Sequence, residues 1–223
     1  CGENLPALAR LSAVMHDHFV TVVPPQMRFG PDWFQGTADA VFQNLNLIRQ
    51  HNPELVAVFG ADHIYRMDIR QLIDFHIERK ADVTVAARPV PISEGSSFGI
   101  IAIDNDSRIR SFVEKPKNPT PMPKDPNHVL CSMGNYIFNT DVLIEALIDA
   151  QRKKEHDFGR YVIPSLVGKK NLYAYDFATN KIPGIKPYEE KGYWRDIGTI
   201  KAFWESHQDI LGSEPLFEMN NEL

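Results

Sequence analysis

The run Leu55-Val56-Ala57-Val58-Phe59-Gly60-Ala61-Asp62-His63 constrains this chain more than any other stretch. Its apolar part lacks an alternation of period two, so it predicts a strand over residues 55–59 with both faces buried, as inside a parallel sheet. A sheet of that kind needs helices on both faces, which points to an α/β class. Ligands of open α/β sheets bind beyond the carboxyl ends of the strands. The run places one carboxylate there, Asp62.

The flanking patterns agree. A helix pattern over residues 5–14 and a strand over 19–23 come first, followed by a loop from Pro24 to Gln35. Thr37 is a favourable cap, and Ala38, Val41, Phe42, Leu45 and Ile48 repeat at helical spacing until His51-Asn52-Pro53. Asp68 caps a second helix with a stripe of Ile69, Leu72, Ile73 and Ile77, and residues 82–87 are a β-branched run. Strand, helix, strand, helix, strand predicts a Rossmann-like, mostly parallel central sheet. Beyond Pro89, residues 98–103 and 109–114 flank Asp104-Asn105-Asp106-Ser107 as a small antiparallel hairpin. A strand over 129–138, a helix through Val142, Leu143, Ala146 and Leu147, and strands over 172–177 and 193–197 follow. Thr199 caps a last helix whose apolar stripe is Ile200, Phe203, Trp204, Ile210 and Leu211.

With 223 residues, 43% of them hydrophobic, the chain can bury one substantial core. A net charge of -5 with dispersed lysines and arginines argues against nucleic acid as a partner. No apolar run approaches the ~20 residues of a membrane helix, which argues against a membrane partner. Cys1 and Cys131 are too few for a disulfide framework and suit a reducing cytoplasm. The chain opens on Cys1 rather than Met, within a helical pattern, and is therefore expected to be a fragment.

Asp62 and Asp196 are the first candidates for metal binding. Magnesium takes one or two carboxylates and completes its shell with water and substrate phosphate. Asp196 stands in Tyr193-Trp194-Arg195-Asp196-Ile197-Gly198-Thr199, where a glycine and a helix start leave room for a ligand. The bland alternative is that each acid caps a turn or pairs with Arg66 or Arg195. In Glu114-Lys115-Pro116, the proline is expected to hold Lys115 extended so that its ammonium projects from the sheet as a phosphate contact. A solvated lysine is the alternative. Gly36-Thr37-Ala38-Asp39-Ala40 opens a helix with small residues, where free amides can meet an anion or a base edge, unless it is simply a capped helix. Neither the P-loop nor the Gly-x-Gly-x-x-Gly spacing occurs, and no Gly-x-Ser-x-Gly elbow or cysteine-rich zinc site is present. His63 is expected only to shape its turn, and His76 to pack or lie exposed.

Five stretches together resemble ADP-glucose pyrophosphorylase, the glucose-1-phosphate adenylyltransferase family. They are Trp33-Phe34-Gln35-Gly36-Thr37-Ala38-Asp39-Ala40-Val41, Asp62-His63-Ile64-Tyr65-Arg66-Met67-Asp68, Phe112-Val113-Glu114-Lys115-Pro116, Ser132-Met133-Gly134-Asn135-Tyr136-Ile137-Phe138 and Tyr193-Trp194-Arg195-Asp196-Ile197-Gly198-Thr199. They occur in the family's order across almost the whole chain. The resemblance implies a Rossmann-like nucleotidyltransferase fold and a reaction of ATP with glucose 1-phosphate that yields ADP-glucose and pyrophosphate for glycogen or starch. It implies Mg2+ on Asp62 and Asp196, and Lys115 on the sugar phosphate. Glu114, Ser132, Gly99 and Asp157 would face the sugar. Gly36, Thr37, Ala38 and Asp39 would line the nucleotide side, and Gln26 would lie near the base. It also implies allosteric control, with the loop from Pro24 to Gln35 as a relay, and a homotetramer at full length.

The family's Gly-Gly-x-Gly-Thr-Arg-Leu loop is missing here. The expected organisation is thus a catalytic domain over residues 1–212 without that loop, then the start of a linker over 213–223. Such a fragment alone is expected to be inactive. Two rival readings are a pyrophosphorylase for UTP or dTTP and a non-catalytic regulatory subunit. The retained Asp62, Lys115 and Asp196 favour catalysis over the latter.

Overall fold

A computed structural model describes residues 20–25, 33–123 and 125–219. The expected helix over 5–14 and Gln26 lie outside these, and residues 20–23, expected in a strand, form none.

The first helical pattern divides into α1 (Thr37–Phe42) and α2 (Leu45–His51). The cause is local. The Asn44 side-chain amide donates to the Ala40 carbonyl at 2.8 Å, a bond that competes with the helical ladder. Next come β1 (Leu55–Val58), β2 (His63–Tyr65) and α3 (Ile69–Glu78). The expected Asp68 cap is present, its carboxylate accepting from the Arg70 amide. Then follow β3 (Val83–Pro91), β4 (Gly99–Ile103), β5 (Ile109–Glu114), β6 (His128–Asn139) and α4 (Thr140–Lys153). A π-helical turn (Phe158–Val162) leads into α5 (Ile163–Leu166). The elements end with β7 (Leu172–Asp176), β8 (Trp194–Asp196) and α6 (Ile200–Gln208).

The central sheet is mixed rather than mostly parallel. Its order is β5-β4-β6-β3-β7, with β1 also on β6. Only β3 and β7 pair in parallel, because β6 runs between β1 and β3 and against both. A largely apolar run reports burial on two faces but not direction, so the stretch at 129–138 could not disclose this insertion. One edge of β6 carries β3 along its length; the other carries β4 at residues 130–131 and β1 at 136–139. β1 is less buried than its composition suggested: Ala57 is exposed, and among the described residues no strand pairs with its other edge.

Between the pairs Val85–Tyr136 and Ala87–Ser132, β6 uses two residues more than β3. Gly134 makes the kink, at φ +72°, a region that suits glycine. On either side of the kink, Leu130, Tyr136 and Phe138 face one core with α1, α2, α4 and α5. Val129, Cys131, Met133 and Ile137 face a second core with α3, Tyr65 and Trp194. Helices therefore cover both faces, as expected. His76 is packed in α3, its ring nitrogens bonded to Thr84 Oγ1 at 2.8 Å and Asn139 Oδ1 at 3.2 Å.

Two expectations fail at the end of the chain's elements. β2 and β8 form their own two-stranded antiparallel ribbon, apart from the main sheet, pairing His63 with Asp196. In α6 the apolar stripe is not buried: Ile200, Phe203 and Trp204 are exposed, and so is Leu211 just beyond. Helical spacing collects these residues on one side without saying which way that side points.

Candidate functional site

A cleft of about 560 Å³ opens at the carboxyl end of β1. It is bounded by the ribbon, the β4–β5 hairpin, β6 and the π-helical turn. Of the residues expected in a site, Asp62, Asp196, Glu114, Lys115, Ser132, Gly99, Asp157 and Thr37 all line it.

The two acids come together through the ribbon. Asp62 lies in the turn between β1 and β2, four residues past the strand end rather than on it. The Ile197 amide donates to the Asp62 carbonyl at 3.3 Å, which fixes the turn against β8. The carboxylates of Asp62 and Asp196 and the ring of His63 each offer one ligand atom, all within 4.8 Å of one another. The Gly198 amide donates to Asp196 Oδ1 at 3.0 Å and orients that carboxylate. Neither acid makes an ion pair with lysine or arginine among the described residues. Arg66 pairs with Glu189, and Arg195 with Glu190 and Asp209, so the arginine pairing offered as the alternative is not realised, while the turn-capping half of it holds for Asp196 through the Gly198 amide. The Asp62 side chain is 71% exposed toward the cleft. Two carboxylates converging without a lysine or arginine partner, with open space before them, fit a hard divalent cation.

On the lining of the same cleft, Glu114 is wedged between two glycines. A Cβ on Gly99 would approach Glu114 Oε2 to 2.8 Å, and one on Gly159 to 2.7 Å. Gly99 is Glu114's partner across the hairpin, so the absence of a side chain makes room for the carboxylate. Burial, reinforced by the negative charge of Asp157, raises the Glu114 pKa above the ordinary carboxylate value. Asp157 caps the π-helical turn by accepting from the Arg160 amide at 2.8 Å, and Thr37 Oγ1 donates to its other oxygen at 3.2 Å. Ser132, Gly134 and Tyr136 alternate along β6 into the same cleft.

Lys115 departs from expectation. It is not extended: its φ is +46°, in the left-handed region, and its amide donates to the Phe98 carbonyl at 3.0 Å. That backbone bond closes the end of the hairpin and outweighs the preference Pro116 imposes. Non-glycine residues held there cluster at functional sites because surrounding structure must over-determine them. The side chain remains exposed and lines both the cleft and an adjoining one of about 910 Å³.

The start of α1 is not a free anion site. The amides of Ala38 and Asp39 donate to the His156 carbonyl at 2.9 and 3.3 Å. Ala38 is buried in the core. Asp39 is buried as well, accepting from the Gln35 amide and the Gln43 side chain. Gly36 is needed for the close approach, since a Cβ there would lie 2.3 Å from the His156 oxygen. Gly36→Ala should therefore cost about 1–3 kcal/mol of stability, the usual penalty of overpacking. Thermal unfolding checks this, and an unchanged midpoint would refute the packing role.

Other lining residues were given no site role from sequence: Tyr136, Trp194, Phe98, Phe158, Gly159 and His63, the last expected only to shape its turn. His63 stacks edge-on against Trp194 at 5.2 Å, and Phe98 packs on the same indole at 5.3 Å. A signal existed for most of them, because they neighbour acids already noted in the sequence.

The profile of the nucleotidyl transferase family matches residues 6–213. Glucose-1-phosphate adenylyltransferase of Thermodesulfovibrio yellowstonii is 65% identical over 213 residues, covering 95% of this chain and 52% of that protein. The enzyme of the same name from Anaeromyxobacter sp. is 48% identical over 216 residues, 96% of this chain and 52% of its own. That of Thermus thermophilus is 44% identical over 230 residues, 98% and 54%. The chain spans about half the length of the curated relatives it matches.

Proposed function

Since the chain belongs to the nucleotidyl transferase family, we propose that its protein transfers the adenylyl group of ATP to glucose 1-phosphate, giving ADP-glucose and pyrophosphate for glycogen or starch synthesis. The observation that carries this reading is that one cleft is lined by Asp62 and Asp196 together with Glu114, Lys115, Ser132 and Asp157. The names and identities of the relatives support the same reading.

In this reading Glu114 and Asp157 accept hydrogen bonds from sugar hydroxyls, and Ser132 lies on the same wall. Lys115 holds the phosphate of glucose 1-phosphate as a point charge. Thr37 lies at the border with the nucleotide. A phosphate oxygen of the sugar attacks the α-phosphorus of ATP in line; a new P–O bond forms and the bond to pyrophosphate breaks. The nucleophile is already an anion, so no side chain need act as a general base. The chain's task is positioning and charge neutralisation. Asp62 and Asp196, with His63 beside them, would hold Mg2+, which when bound neutralises charge on the phosphates. A cytoplasmic location, homotetrameric assembly and control by a metabolite belong to the same proposal.

Titration of the chain with ADP-glucose, UDP-glucose and dTDP-glucose, followed by calorimetry, tests the reading. ADP-glucose should bind tightest. Equal or weaker binding than the other two would favour a pyrophosphorylase of different nucleotide preference.

A further inference from the structure

The ribbon β2–β8 carries Asp196, and Asp62 immediately precedes its first strand, yet it shares no ladder with the main sheet. Tyr65 and Trp194 anchor it in the second core, and Arg88 of β3 donates to the Gly192 and Trp194 carbonyls at 3.1 and 3.2 Å. At its cleft end the Ile197 amide ties it to Asp62. The opposite end, just past the Tyr65–Trp194 pair, is formed by Arg66 and Tyr193. Both grip one side chain from the end of the described chain, Phe217. The Arg66 guanidinium lies over the Phe217 ring at 4.7 Å, and the Tyr193 and Phe217 ring centroids are 4.7 Å apart.

The backbone of that segment is fastened as well. Glu189, with its side chain only 1% exposed, pairs with Arg66 and accepts from the Lys186 amide at 2.7 Å and the Glu218 amide at 2.9 Å. The Glu190 amide donates to the Leu216 carbonyl, and the Phe217 amide to the Asp209 carbonyl. Asp209 in turn accepts from Tyr193 Oη at 2.9 Å and Arg195 Nε at 3.0 Å. Arg195 is itself a ribbon residue, adjacent to Asp196. Pro215 and Phe217 are buried, so the segment lies against the domain where a linker was expected.

We propose that residues 215–218 form a clasp that positions the metal-binding ribbon, with Phe217 and Glu189 as positioning residues for Asp62 and Asp196. The clasp rests on the metal reading given above. Its chemistry is a cation and an aromatic ring closing on Phe217, backed by a buried carboxylate that satisfies two amides and one guanidinium. Releasing it frees the ribbon to shift relative to Glu114 and Lys115, which sit on the main sheet and are untouched by it. Metal affinity and sugar-phosphate affinity should therefore separate.

The test uses Mn2+ as the probe, titrated into the chain and read by electron paramagnetic resonance, alongside glucose 1-phosphate binding by calorimetry. Phe217→Ala should weaken Mn2+ binding about tenfold, the scale on which residues behind metal ligands act. Glucose 1-phosphate binding should stay within twofold or so of wild type on the same reasoning. Phe217→Tyr, which keeps the ring between Arg66 and Tyr193, should restore Mn2+ affinity. Circular dichroism identifies any variant that fails to fold; Glu189→Gln, which retains volume, then replaces Phe217→Ala. If Asp62→Asn and Asp196→Asn abolish Mn2+ binding while folded clasp variants leave it unchanged, the clasp is refuted and the metal reading stands. If neither acid matters to Mn2+, or wild type binds none, the metal reading falls and the clasp's role falls with it. Equal weakening of Mn2+ and sugar phosphate would mark a general loosening and also refute the proposal.

Discussion

Asp62→Asn in the intact enzyme should lower kcat by roughly three orders of magnitude, or about 4 kcal/mol on the barrier, if Asp62 holds the metal that neutralises the reacting phosphates. The fold should survive the change. The Asp62 side chain faces the cleft, and the bond that fixes its turn comes from its carbonyl, which asparagine keeps. Steady-state kinetics at saturating Mg2+, with a thermal melt beside them, check both halves. A kcat near wild type would remove Asp62 from the metal site. A large drop in melting temperature would instead mean that the acid stabilises the turn.

The second large effect concerns Lys115. If Lys115 holds the phosphate of glucose 1-phosphate as proposed, Lys115→Ala should raise the KM for glucose 1-phosphate about tenfold to a hundredfold and change kcat much less, because a contact made equally in the ground state and the transition state contributes uniform binding. The left-handed backbone does not confound the comparison: alanine and lysine both carry a Cβ at φ +46°. A fall in kcat with an unchanged KM would move Lys115 from holding the sugar phosphate to stabilising the transferred group.

Much of the site was legible because carboxylates after apolar runs stand out. Asp62 and Asp196 follow from that idea, whereas Glu114 and Asp157 were assigned only through the family resemblance; the four share a cleft. The ribbon that unites two of them was not legible. The strand over 193–197 was expected, but its partner His63-Ile64-Tyr65 is only three residues, too short for any period to register. Strand direction was equally hidden, since an apolar run looks the same read in a parallel or an antiparallel ladder. The helix start at Gly36 misled for a different reason. Small residues there admit a ligand or a neighbouring backbone equally well, and here the His156 carbonyl takes the place. The stripe of α6 shows the remaining limit: periodicity gathers Ile200, Phe203 and Trp204 on one side, while packing decides what that side meets.

The kink in β6 also limits how this protein can change over evolutionary time. Its surplus over β3 is two residues, an even number, so parity is kept: 130, 136 and 138 face one core, and 129, 131, 133 and 137 the other. A single inserted or deleted residue between Ser132 and Tyr136 would turn one half of the strand inside out relative to the other. The cleft wall would then trade places with the opposite core. Length variation in this strand is thus quantised in pairs, and substitution is the only gradual route by which the wall formed by Ser132, Gly134 and Tyr136 can be remodelled.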